Sequence, residues 1–166
     1  MLRIARRFGL YVGILGLTLA LGATVSAQND PFIGTWLLNL DQSDVTSPSA
    51  EIRERTFHIE RKGNVYPHSQ ETFRVGSDAV QRIWYDATYD GKEAKVTGAA
   101  FDAVTFTRQG NTLTRKAFNR GQEVETATFT VSADGKTMTV VTKGNNYGVE
   151  YGSTQIFEKQ AASGTR

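Results

Sequence analysis

Cysteine is absent from the 166-residue chain, which excludes a disulfide framework, a thiolate metal site, a cysteine nucleophile and a lipidated N-terminal cysteine. Only three prolines stand against sixteen glycines, so no proline-rich linker divides the chain. Histidine occurs twice, as His58 and His68. Helical periodicity is missing too: after residue 28 no stretch spaces apolar residues at helical intervals for more than about one turn. No Ser/His/Asp order, glycine-rich phosphate loop or metalloprotease motif is present. What remains, 39% hydrophobic and 22% charged residues, fits one folded globular domain rather than a disordered tail or a polytopic membrane protein.

The first 27 residues differ from the rest. Arg3, Arg6 and Arg7 make a basic start, Phe8 to Leu21 is uncharged and mostly apolar, and Val25-Ser26-Ala27 places small residues at the minus-three and minus-one positions of a cleavage site. Residues 1–27 therefore read as a secretory signal peptide and residues 28–166 as a single mature domain. An uncleaved anchor is the alternative, because Phe8 to Ala27 is about long enough to span a bilayer. The Arg6-Arg7 pair leaves the general and twin-arginine routes both open. Without the three leader arginines, 16 Lys and Arg face 17 Asp and Glu, a net charge of −1. The basicity of the whole sequence, with a pI near 8.9, thus belongs to the leader and gives no support for nucleic-acid binding. The expected location is the periplasm or outside the cell, with no stable membrane insertion after cleavage.

Beyond residue 28 the pattern is that of strands. Runs rich in Thr, Val, Phe and Tyr are broken by turn signals at Lys62-Gly63-Asn64, Asp90-Gly91, Gln109-Gly110, Asn119-Arg120-Gly121, Asp134-Gly135 and Lys143-Gly144-Asn145-Asn146. Asp41 to Ala50 reads as a polar loop with room for one helical turn. The spacing predicts nine or ten strands in an all-β antiparallel up-and-down meander. A two-residue loop at Gln109-Gly110 sets Phe106 opposite Leu113 and Val104 opposite Arg115. A three-residue loop at Asn119-Arg120-Gly121 sets Arg115 opposite Glu125. Closure at Asp134-Gly135 sets Val131 opposite Met138, and closure at Asp90-Gly91 sets Tyr85 opposite Val96 and Ala87 opposite Ala94, with Ile83 and Tyr89 inward and Trp84, Arg82 and Asp86 outward.

These hairpins agree on one face made of Val104, Phe106, Leu113, Ala127, Phe129, Val131, Met138 and Val140, with a threonine-rich face opposite. Such a sheet must bury its apolar side by closing into a barrel or by stacking on a second sheet, and closure also removes exposed edges. Arg115 interrupts the apolar face, with Glu125 across the hairpin and Asp102 diagonal to it through the Val104 pairing. The three either pair inside or sit at an open mouth in water. Two acids around one base leave a local charge of −1, which favours a neutral or weakly polar head group on any ligand held there. His68 points inward if the loop before it is Gly63-Asn64 and outward if it is Lys62-Gly63-Asn64.

Gly34-Thr35-Trp36 resembles the Gly-x-Trp start of the lipocalin or calycin superfamily. With Asp30 to Asn39, Tyr89-Asp90-Gly91-Lys92, Val96-Thr97-Gly98, Asp134 to Thr139 and Phe157-Glu158-Lys159-Gln160, the pattern over nearly all of residues 30–160 resembles a group of small exported bacterial lipocalin-like proteins of unassigned function. The resemblance implies a lipocalin-like barrel of about 8 to 10 strands and offers no catalytic residue. Fatty-acid-binding proteins end in a similar strand whose Arg-x-Tyr holds a carboxylate. Here Gln155-Ile156-Phe157 stands in its place before the shared Glu158-Lys159, so the resemblance does not license a fatty acid.

The leading functional reading is an exported, non-enzymatic binding protein for a small, partly apolar molecule, without cofactor or metal. Its candidate ligand-binding residues are Arg115, Glu125, Tyr85, Tyr89, Phe106, Phe129 and Tyr151. The further aromatics Trp36, Tyr66 and Phe157 line the same interior or simply fill it, with Trp36 as a plug at one end. A calycin-type hydrolase or isomerase, using His58 or His68 with an inward carboxylate, is a second reading. A filled barrel acting through outer contacts such as Trp84 is a third. Oligomeric state and ligand identity are left open.

Overall fold

The computed structural model describes residues 30–45, 51–146 and 148–161; the leader read at residues 1–27 lies outside them. Ten strands follow one another: β1 (Gly34–Asp44), β2 (Ile52–Ile59), β3 (Tyr66–Arg74), β4 (Val80–Ala87), β5 (Asp90–Lys95), β6 (Ala103–Gln109), β7 (Thr112–Asn119), β8 (Gln122–Val131), β9 (Thr137–Asn146) and β10 (Val149–Lys159). They form one antiparallel sheet in the order β4-β3-β2-β1-β10-β9-β8-β7-β6-β5. The first strand pairs with the last, Trp36 with Lys159 and Leu38 with Phe157, so the meander rolls up rather than splitting into stacked sheets. Its two edges, β4 and β5, meet at a single bridge. Trp84 and Thr97 exchange backbone hydrogen bonds of 3.1 Å, and beside it Gly98 comes so close that a Cβ there would lie 1.8 Å from the Arg82 carbonyl oxygen. The result is an all-β, nearly closed ten-stranded barrel.

The predicted apolar face is the inner face: Val104, Phe106, Leu113, Ala127, Phe129, Val131, Met138 and Val140 are all buried. Trp84, by contrast, is 51% exposed on the outside. Two registers differ from expectation by two residues. The β6–β7 turn is Gly110-Asn111, pairing Gln109 with Thr112 and Phe106 with Arg115, because Gly110 takes the left-handed first turn position (φ +58°) that suits glycine and not Gln109. The β7–β8 turn is Arg120-Gly121, with Arg120 itself at φ +52° and its N–H donated to Asp102 Oδ2 at 3.0 Å. A bulge between Ala117 and Phe118 then sets Arg115 opposite Ala127. A shift of two keeps every side chain on its face. The β8–β9 pairing, Val131 with Met138 and Phe129 with Val140, is as expected.

Three predicted turns or loops are strand. Asp90-Gly91 opens β5, the chain bending just before it at Thr88 and Tyr89, so β4 and β5 end as the sheet's edges rather than as a zipped hairpin. Asp41 to Asp44 continue β1 through an irregularity after Asn39, where the Ser43 hydroxyl accepts the Ile156 N–H at 2.9 Å and so mends the ladder. Lys143-Gly144-Asn145-Asn146 likewise continue β9, paired with Val149 to Gly152.

Near the chain ends the barrel is packed solid. Phe32 and Trp36 are fully buried, and the Trp36 indole donates to the Phe32 carbonyl at 2.8 Å. Buried Asp30 pairs with Arg108, and Lys159 stands over the Trp36 ring. The β2–β3 turn is Gly63-Asn64, bounded by the Lys62–Val65 bridge, so His68 faces inward opposite Ile59. Its Nε2 hydrogen-bonds the Tyr89 hydroxyl at 2.9 Å, and its ring stacks on Tyr85 and Phe106 at 4.9 and 5.1 Å. Tyr66 stacks on Tyr89 at 3.9 Å.

Burial, with a lesser contribution from the Arg115 cation, pulls the His68 imidazole down to about 3 from an ordinary 6.5. Folded His68 is therefore neutral where unfolded His68 takes up a proton, so the unfolded chain binds more protons between about pH 6.5 and 3 and stability must fall as pH falls through that window. Urea unfolding from pH 7 to 4 is expected to show a flatter decline for His68→Gln than for the parent chain. Parallel declines would contradict a neutral buried imidazole.

Candidate functional site

The opposite half of the barrel is not filled. A cavity of about 160 Å³ lies there, bounded by Phe57, Ile83, Phe129 and Val140 on its apolar side and by arginines, Glu125 and strand amides on the other. Small barrels fill with side chains or leave room for one small molecule. A dry void of about 150 Å³ accepts benzene, which sets the scale at roughly one ring.

Of the seven residues read as ligand-binding, Arg115, Glu125, Tyr85, Phe129 and Tyr151 line this cavity. Tyr89 and Phe106 lie outside the lining, in the aromatic stack around His68. Trp36, Tyr66 and Phe157 also stand apart from the cavity, in the barrel's packed interior.

Arg115 is 8% exposed, and its Nη2 donates to Glu125 Oε1. Glu125 stands opposite Ala117 rather than opposite Arg115, so the pair forms on the diagonal, within reach of these long side chains. The second Glu125 oxygen accepts the Tyr151 hydroxyl at 2.8 Å. Between these strands runs β9, where Gly144 pairs with both Glu125 and Tyr151. A Cβ on Gly144 would lie 2.4 Å from the Tyr151 ring, so the glycine is what lets tyrosine lie across its strand to reach Glu125. Phe101 and Phe129 present their rings to the Arg115 guanidinium at 5.4 and 5.6 Å. Burial works against the Arg115 charge, but Glu125 and a hydrogen bond with Tyr85 outweigh it and hold the guanidinium above its ordinary value. Burial first, and then Glu125, push the Tyr151 phenol up.

Asp102 does not join the group. The two-residue shift in β6–β7 carries it to the rim, where it is exposed and caps the Arg120 turn. Arginines unexpected from the sequence take its place. Arg55, on β2, lines the cavity and donates from Nε to Thr72 Oγ1 at 3.0 Å and from Nη1 to Gln155 Oε1 at 2.9 Å. Arg74, at the end of β3, also lines it and donates to Gln81 at 3.1 Å. Burial, then Arg74, lower the Arg55 guanidinium to about 10, with Glu125 opposing. The signal was available: Phe57 and Ile59 point inward, and alternation along β2 puts Arg55 on the same side.

Neither histidine meets a carboxylate in the cavity. His68 is held by Tyr89, and His58, on the other face of β2, shares a 2.9 Å hydrogen bond with Thr35 Oγ1. Among the described residues no three His, Asp or Glu side chains converge as metal ligands would.

The Tyr151–Glu125 bond and Gly144 act as one unit. Gly144→Ala and Tyr151→Phe are each expected to cost about 1 kcal/mol, and the double variant little more than the larger single change. Additive losses in urea unfolding would show that Gly144 does not position Tyr151.

No protein-family model matches the sequence, and no curated protein matches it. Solved structures do. Zebrafish ileal bile acid-binding protein complexed with cholic acid superposes with a TM-score of 0.55 at 12% identity, over 78% of this chain and 99% of its own. Wild-type fluorescent protein UnaG gives 0.52 at 13% identity over 78% and 97%. Secretory abundant heat soluble protein 4 from Ramazzottius varieornatus gives 0.53 at 15% identity over 80% and 97%. At such identities the likeness is one of fold alone: the chain shares the barrel architecture of these structures.

Proposed function

We propose that the protein is an exported, non-enzymatic binding protein that holds a small, partly apolar molecule in the unfilled half of its barrel. The observation that carries this reading is the cavity itself. One end of the interior is packed to the last ring, while the other keeps about 160 Å³ between an apolar wall and a set of ordered polar groups. That is the usual make-up of a small-molecule site. The bile acid-binding protein of the same fold supports it by analogy. A hydrolase or isomerase would want a histidine facing a carboxylate across the space, and here His68 belongs to the packed end while Glu125 is committed to Arg115 and Tyr151. Export rests on the basic start, the apolar run and the Val25-Ser26-Ala27 site of the leader.

Native mass spectrometry of the protein isolated from its own cells checks both parts. The expected species begins at Gln28, is recovered from the soluble exported fraction, and carries a small molecule that leaves on mild activation. Thr142→Phe, which places a ring beside Val140 in the lining, is expected to fold and to lose that molecule. A membrane-bound species retaining Met1 contradicts the leader reading. A mature protein without any adduct, indistinguishable from Thr142→Phe, contradicts the binding reading.

A further inference from the structure

Resting on the reading that the cavity binds a small molecule, we propose that it selects an anion: an apolar body of about one ring bearing a carboxylate or another small acidic group, held by the guanidinium groups of Arg55 and Arg115.

The charge around the cavity carries this. Arg55 and Arg115 line it with one acid, Glu125, among the lining residues, and Asp102, the second acid that would have balanced Arg115, sits at the rim on the Arg120 turn. Taking a cation out of water is costly unless a counter-charge or full hydrogen bonding compensates it. Arg115 is only partly compensated: Nη2 is engaged by Glu125, yet its buried Nε has no hydrogen-bond partner among the described residues. Arg55 has partners, but its guanidinium donates to neutral groups, the Thr72 hydroxyl and the Gln155 side-chain carbonyl. An acidic group placed between the two would give each a charge-assisted hydrogen bond, the strong kind in a partly desolvated site.

Glu125 offers little opposition, because both its oxygens are already turned to donors, Arg115 and Tyr151. A cationic ligand would have to displace one of these and then face the arginines alone. The apolar wall of Ile83, Phe129 and Val140 provides for the body of the ligand.

Three probes of one shape separate the possibilities: benzoate, benzyl alcohol and benzylamine, titrated into the isotope-labelled protein and followed by amide chemical shifts, with inorganic phosphate as a fourth arm. Benzoate is expected to bind at least about tenfold more tightly than benzyl alcohol, with benzylamine weakest. In Arg55→Met the preference for benzoate over benzyl alcohol is expected to fall to within about threefold. Arg55→Gln, which keeps a polar group toward Gln155, is a second variant with the same expected loss. Equal binding of benzoate and benzyl alcohol overturns the anion proposal and leaves the binding reading standing. Benzoate selectivity unchanged in both variants overturns the role of Arg55. Phosphate that displaces benzoate at matched concentration reduces the site to one for simple ions and overturns the amphipathic class. Shifts from none of the three ring probes overturn the anion proposal and the binding reading together.

Discussion

An antiparallel meander with one apolar face has to cover that face, and the pairing of β1 with β10 covers it here. Trp36 and Leu38 meet Lys159 and Phe157 across this seam, which brings the sequence-distant ends of the domain together and turns the face of Val104, Phe129 and Met138 into an interior. Closure removes the exposed edges that would otherwise recruit another chain. It is nearly complete, since the remaining edges β4 and β5 still touch at Trp84 and Thr97. Because consecutive strands are joined by short turns, the loops fall at two ends, and the barrel has two halves that can be built differently.

The difference between those halves is a matter of where polar groups find partners. In the packed half each buried polar group described is satisfied by a neighbour: Asp30 by Arg108 and the Phe32 N–H, His68 by Tyr89, the Trp36 indole by Phe32. Side chains can then fill the space without leaving a stranded charge. In the other half the inward positions are arginines, Glu125, Gln155 and Tyr151, linked by hydrogen bonds into a wall but not collapsed on one another. A polar wall of this kind cannot close over itself as Phe and Leu do, because each charge needs an oriented partner. The cavity follows from that composition.

Much of the fold was legible because a strand's side-chain period is two. The β6–β7 and β7–β8 hairpins are two residues away from their expected registers, yet every inward residue is still inward, since a slip of two preserves faces where a slip of one would invert them. Partnerships are less forgiving. Glu125 stayed within reach of Arg115 on the diagonal, whereas Asp102 was carried to the rim, and with it went the sequence argument for a neutral head group. Arg55 was missed although its alternation with Phe57 and Ile59 carried the signal, because the β2–β3 turn fits two registers, Gly63-Asn64 and Lys62-Gly63-Asn64. The strand character of Asp41 to Asp44 and of Lys143 to Asn146 was hidden by polar, turn-favouring residues whose side chains repair or relieve the ladder: Ser43 bonding Ile156, and Gly144 making room for Tyr151. Such tertiary roles leave no local pattern.

The central claim is that one half of the interior is an open, cation-lined site while the other is solid. A high-resolution crystal structure of the mature protein tests it most directly. The account predicts ordered density, from a ligand or from water, between Phe129 and Val140 and hydrogen-bonded to the Arg115 and Arg55 guanidinium groups, with unbroken side-chain packing around His68, Phe106 and Trp36. Finding Tyr85, Phe129 and Tyr151 collapsed into that space, with the Arg115 guanidinium fully bonded to protein groups, would contradict it.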